Sequence, residues 1–173
     1  LYYDYVTTKI TPYVYQVKRD ECLELPPKTY ATSTVIVPRH HKNIYNQQRD
    51  AILYSEDFLT CESGVMVYKL LSTLQRIACG VVPTDDGGYK RIYDNTHDNP
   101  RIKDMLAIIS GIPHDQQVIV WAKYTVDIED ISDALADKYG AENVCVMHGK
   151  TKRSERDLAV ERFRSGARFF VSN

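Results

Sequence analysis

The six residues HGKTKR at positions 148–153 place a glycine, a hydroxyl and three cations between an apolar run and a helical stretch. Gly149 lets the backbone approach a ligand closely. Thr151 can cap the following helix, and Lys150, Lys152 and Arg153 set positive charge beside amides at a helix N-terminus, a combination suited to phosphate. An ordinary solvated basic turn capped by Thr151 has the same composition, and the residues alone leave both readings open. A second loop, Lys123-Tyr124, follows the apolar run 118–122. Acids in the helix after it oppose an anion there, which makes it the weaker of the two.

Other chemistry is excluded by spacing. No G-x-x-x-x-G-K-[ST] phosphate loop occurs in the chain. Asp20 and Glu21 lie in a polar, proline-marked stretch and not at the end of a buried strand, so they do not make a magnesium-holding pair. His40 and His41 follow Pro38 and begin a helix, without a Cys or acidic partner at metal-ligand spacing. His148 stands at a strand end with no Ser or Cys in nucleophile context, so no hydrolase triad can be assembled. Cys22, Cys61, Cys79 and Cys145 show no C-x-x-C pair and read as reduced thiols.

The two loops need a frame, and the second half of the chain supplies one. NPRIKDMLAIISGIP (99–113) places Ile102, Leu106 and Ile109 on one helical face, with Asn99 as N-cap, Pro100 in the first turn, and Gly111 and Pro113 as stops. VIVWA (118–122) is a short apolar run suited to a parallel sheet. The helix of residues 127–140 carries Ile128, Ile131 and Leu135, with acids in its first turn, Lys138 in its last and Gly140 as breaker. NVCVM (143–147), the amphipathic stretch 153–166 and RFFVS (168–172) complete a βαβαβ order. Right-handed crossovers then give a parallel sheet covered by helices. The expected core is Leu70, Leu74, Ile119, Val120, Ile131, Leu135, Val146, Leu158, Phe163 and Phe170.

The first half differs in kind. Residues 11–28 read as a connector, TYATSTVIVP (29–38) as an extended strand, and residues 40–54 and 64–79 as helices. The second helix lines up Val67, Leu70, Leu71, Leu74 and Ile77. VVPTDDGGYKRIYDN (81–95) carries the Asp-Asp-Gly-Gly centre of a hairpin.

With 173 residues, one full domain or a domain plus connector fits better than two complete domains. A net charge of −1 gives no global pull toward nucleic acid, but the charge is unevenly placed. Residues 148–168 hold seven Lys/Arg against three Asp/Glu, whereas 126–142 hold six acids against Lys138, so any anion-binding surface belongs to the first stretch. No apolar run reaches bilayer length and the N-terminal LYYDYVTTKI lacks a secretion-signal pattern. A cytoplasmic setting without membrane partners is the expectation.

These motifs carry a family resemblance. VIVWAKY, an acidic amphipathic helix and then VMHGKTKRSERDLAVERFRSGARFFVSN resemble the second RecA-like lobe of superfamily 2 helicases and helicase-like ATPases. Trp121, Glu155, Arg156, Phe163 and Gly166 fill its motif positions. Upstream, the segment from KITPY to KNIY, with Leu-Pro-Pro-Lys at 25–28 and Tyr45, resembles the chain leaving the first lobe of Swi/Snf-type ATPases. LLSTLQRIACG is similar to the leucine-rich helix before the second lobe. Where relatives carry paired arginines before Leu-Pro, this chain has Tyr15, Gln16 and Val17 ahead of Lys18 and Arg19. Where many place Ser after the loop threonine, it has Lys152. Thr151 remains the expected cap with Ser154 three residues on, so no capping box is expected.

The resemblance implies an α/β fold: an incomplete RecA-like parallel sheet covered by helices, preceded by a mainly helical connector and insertion. It implies residues 1–28 as first-lobe tail and connector, 29–95 as strand, insertion and hairpin, and 96–173 as the front of the second lobe. The parent would be a DNA-dependent ATPase or helicase using ATP and Mg2+ held with its first RecA-like lobe, on double-stranded DNA. The fragment would hold no cofactor and be inactive alone, with its arginine-bearing motif beyond Asn173. Lys123, His148, Gly149, Lys150 and Thr151 would belong to the nucleic-acid track, with Glu155 and Arg156 fixing the helix after it. A nonmotor RecA-like protein-interaction module and the C-terminal lobe of an RNA helicase are the alternatives, and Leu-Pro-Pro-Lys favours the duplex-DNA branch.

Overall fold

The computed structural model describes residues 2–15, 28–60, 64–84 and 86–173. The heart of the connector, residues 16–27 with Cys22 and the Asp20-Glu21 pair, lies outside them, as does Cys61. The chain divides into two units, Leu1–Ser33 and Thr34–Asn173. In the first, helix α1 (Tyr2–Ile10) runs into a single 3-10 turn, Thr11–Tyr13. Hydroxyls of Thr7 and Thr8 donate back to the carbonyls of Tyr3 and Asp4 at 2.9 and 2.8 Å.

The second unit begins with α2 (Arg39–Leu53), α3 (Glu56–Thr60) and α4 (Gly64–Cys79). Residues 29–38, expected as a strand, form none and run without regular structure. Extended chain becomes a strand only when a neighbour accepts its amides, and among the described residues no strand pairs with it. The expected hairpin is present: β1 (Val81–Pro83) pairs antiparallel with β2 (Tyr89–Arg91).

A buried histidine joins these helices to the hairpin. The carbonyl of Ile77 can only accept, so His41 donates to it from Nε2 at 2.6 Å and accepts the Tyr93 hydroxyl proton at Nδ1 over 2.7 Å. Gly80 turns α4 into β1 with a φ of +101°, where an added Cβ would meet Asn99 Nδ2 at 2.6 Å. Asn99 itself accepts from the Arg101 amide and donates to the carbonyl of Cys79 at 2.8 Å. It therefore caps the next helix, as expected, and also ties that helix to the end of α4.

Beyond it the βαβαβ order appears as read: α5 (Pro100–Ser110), β3 (Val118–Trp121), α6 (Thr125–Tyr139), β4 (Val144–Met147), α7 (Arg153–Arg164) and β5 (Phe169–Ser172). The sheet is parallel with order β3-β5-β4. Helices α5 and α6 cover one face, packing Ile102, Leu106, Ile128 and Leu135 on Val144, Phe169 and Val171. On the other face α7 sets Ala159 and Phe163 against Cys145 and Phe170.

That second helix does not reach β3. Ile119 and Trp121 point from β3 to the α7 side and stay 52% and 69% exposed, so Ile119, expected in the core, is not there. Leu158, also expected inside, stays 56% exposed on the α7 flank beside β4, and Val67 and Leu71 are exposed on α4. Leu74, Ile131, Leu135 and Phe170 are buried as expected, with Leu70, Val120, Val146 and Phe163 half-buried. No helix among the described residues is long and apolar enough to cross a membrane.

Candidate nucleic-acid interface

Register decides where the two loops stand. Trp121 and Met147 both pair with Ser172, so β3 and β4 end at one level on either side of β5. Two interstrand spacings separate their exits, about 10 Å. Lys123 and His148 thus leave the same edge of the sheet, the carboxyl edge where ligands of open α/β sheets gather.

The 148–152 loop is tightly tied to itself. The Thr151 hydroxyl accepts from the His148 amide at 2.9 Å, and the Thr151 amide returns to the His148 carbonyl at 3.0 Å. His148 Nδ1 accepts from the Lys150 amide at 3.2 Å. Arg156 grips the loop from α7, donating from Nε to the Thr151 carbonyl at 2.8 Å and from Nη2 to those of His148 and Gly149, each at 3.4 Å. Arg156 therefore positions this loop.

Thr151 is not the helix cap. Lys152 occupies that position with extended backbone (φ −65°, ψ 154°), and Glu155 accepts from its amide at 3.1 Å. Half a capping box thus exists where none was expected. Its reciprocal half is chemically closed, because an ammonium has no lone pair to accept the N3 amide. A consequence follows for ligands: the amides of His148, Lys150, Thr151 and Lys152 are all engaged locally. What the loop offers outward is charge, on the exposed Lys150, Lys152 and Arg153.

The structural motif residues serve the same frame. Phe163 meets Phe170 edge-on with centroids 5.3 Å apart, and Gly166, at a φ of +113°, makes the return from α7 to β5. Trp121 is the exception, standing largely in solvent.

The first loop is better equipped than its sequence suggests. Asp127 is buried and lies 3.8 Å from Arg101, while Asp130 accepts from Nε and Nη2 of Arg91 at 2.8 and 2.6 Å. Two of the acids expected to repel an anion are thus occupied by arginines from α5 and β2. Burial pushes the Asp127 carboxyl above its usual range, opposed by Arg101, and pushes the neighbouring Cys79 thiol up to about 11. Lys123 donates to Gln75 Oε1 at 2.6 Å, a neutral acceptor that leaves its charge intact. Sequence reading missed Arg76 and Tyr89, which line a cavity of about 280 Å3 beside Lys123 and Tyr124; the contacts of Arg76 with Tyr124 and of Tyr89 with Glu129 are far apart in the chain, so no local pattern announces them.

Comparison with known proteins agrees with this frame. A family model described as the helicase conserved C-terminal domain matches residues 101–173. Among solved structures, the Sulfolobus solfataricus SWI2/SNF2 ATPase C-terminal domain is similar at TM-score 0.60 and 16% identity, over 77% of this chain and 57% of that one. The SWI2/SNF2 ATPase core domain of the same organism gives 0.69 and 16%, and that core in complex with dsDNA gives 0.66 and 14%. Each core match covers 98% of this chain and 36% of the other, so the chain spans about a third of the core's length. No curated protein matches the chain. Residues 101–173 thus match the helicase conserved C-terminal domain, and the fold of the chain is similar to that of the SWI2/SNF2 ATPase C-terminal and core domains.

Proposed function

We propose that this chain is part of a DNA-dependent ATPase motor and supplies second-lobe contacts to the backbone of double-stranded DNA. Lys123, His148, Gly149, Lys150 and Thr151 form the track, with Lys150 as its principal charge and Arg156 as the residue that holds the loop in shape. The supporting observation is the level exit of β3 and β4, which sets two cationic corners along one edge. A similar ATPase core has been solved with dsDNA, which favours a duplex as the polymer.

Motors of this kind work because ATP bound between two lobes supplies phosphoryl transfer, with stabilising charge contributed from both sides. This chain carries no phosphate loop, and in this reading ATP and Mg2+ belong to the parent with its first RecA-like lobe, in a cytoplasmic setting, while the role of this chain is to grip and position the duplex.

Charge removal tests the reading. Lys150→Gln in the full-length protein is expected to weaken binding to duplexes of any sequence and to lower the salt slope by about 0.9. Unchanged affinity together with an unchanged slope would overturn the track.

A further inference from the structure

The cavity beside Lys123 has its own chemistry. Arg76, on α4, lies over the Tyr124 ring with Cζ 5.2 Å from the centroid, and Lys123 Nζ lies 5.4 Å from the same centroid. Tyr124 is held in place through its hydroxyl, which reaches Ser72 O and Gln75 Oε1 at 3.3 and 3.1 Å. Two cations are thus gathered around one ring, and neither forms an ion pair among the described residues. Like charges held together without a counter-charge repel one another, and an anion between them removes that cost.

The rest of the wall is not suited to a bare anion. Val81 and Pro83 are apolar, and Tyr89, 47% exposed, closes the hairpin side. Its hydroxyl donates to Glu129 at 3.4 Å and Arg91 lies over the ring at 5.5 Å, which leaves one aromatic face for a flat partner. Gly87 and Gly88 at the hairpin turn put no side chain into the space, and the Asp86 carboxylate is folded back onto Thr84 and the Gly88 amide. A volume of about 280 Å3 sits just below the ~300 Å3 at which drug-sized pockets begin. It suits one ring with one phosphate.

We infer that this cleft binds one nucleotide unit of an unpaired strand, its phosphate between Arg76 and Lys123 and its base stacked on Tyr89. The identity of the polymer rests on the motor reading above; the shape and charge of the cleft do not. A base inside a duplex has both faces covered by its neighbours, so stacking on Tyr89 selects strand that is already open.

The experiment compares a labelled blunt duplex with the same duplex carrying a single-stranded extension, by fluorescence anisotropy on the full-length protein at one salt concentration. Arg76→Gln and Tyr89→Ala are each expected to weaken the extended substrate at least about fivefold and leave the blunt one unchanged, while Tyr89→Phe, which keeps the ring, binds as the parent does. Both side chains are exposed, and unchanged melting temperatures establish that the variants are folded. Loss on neither substrate, or equal loss on both, overturns the inference. So does thermal stabilisation by a free mononucleotide with no effect of Arg76→Gln on the extended duplex, which would mark a small-molecule site. A silent Lys150→Gln alongside a selective Arg76→Gln would instead remove the track and keep the cleft.

Discussion

The imidazole of His41 donates to the carbonyl of Ile77 at 2.6 Å while accepting from Tyr93, 52 residues away. Burial lowers its pKa from 6.5, against the opposing effect of the Ile77 bond. The unfolded chain therefore takes up this proton first. The stability that neutral His41 contributes is complete above about pH 6.5 and is lost as pH falls from there through the lower folded value. Urea midpoints measured at about pH 7.5 and about pH 5.5 are expected to differ more for the parent than for His41→Asn. Parallel profiles would show that His41 does not carry this dependence.

Arg156 holds three carbonyls of the 148–151 loop with one planar fork. Arg156→Ala is expected to speed amide exchange at Lys150 and Thr151 and to weaken duplex binding without removing a track cation. Lysine, a single point donor, should restore only part of the protection. Full protection in the alanine variant would mean that the loop holds its shape unaided.

The hairpin is fastened to α6 by Arg91 and Asp130, whose side chains are 39% and 11% exposed. A double-mutant cycle with Arg91→Gln and Asp130→Asn is expected to give a coupling of about 1 kcal/mol, above the median for surface pairs because Asp130 is enclosed. A coupling indistinguishable from zero would reduce the pair to incidental proximity.

At the turn from α4 into β1, Gly80→Ala must accommodate both a positive φ and a methyl against Asn99. The expected cost is about 1–3 kcal/mol. Asn99→Ala loses a helix cap and the bond to Cys79 and is expected to cost about 1–2 kcal/mol. Because the two residues touch, their effects should combine less than additively, a departure that denaturant titration of the double variant would reveal.

Cys79, with its thiol pushed up to about 11, presents almost no thiolate at neutral pH. Alkylation followed by mass spectrometry of the Cys79 peptide should accelerate only as pH approaches that value. Rapid labelling at neutral pH would show the site to be open.

The α5-to-β5 half was legible because each local signal agreed with its neighbours: Asn99 with Pro100, apolar spacing on α6, and Gly140, whose φ of +91° ends that helix. The Thr151 cap was misread because its hydroxyl had a closer use on the His148 amide, and composition does not rank competing acceptors. Ile119 and Leu158 were assigned to the core by apolarity alone, but exposure depends on how far α7 extends over the sheet. The first loop was undervalued for a related reason. Asp127 and Asp130 look repulsive along the chain, and only the fold brings Arg101 and Arg91 to them. His41, Arg76 and Tyr89 act on Ile77, Tyr124 and Glu129, far apart in the chain, a distance at which no periodic pattern speaks.

The three-strand register has a mechanical corollary. The strands that lead into the Lys123 and His148 loops, β3 and β4, both pair with β5, which acts as a shared hub. A slip of that strand by one residue would turn Phe169 and Phe170 to opposite faces and shift the hub against both rims at once. Damage in the middle of this sheet should therefore appear at the periphery as displacement of both loops together, even where every cation is still present.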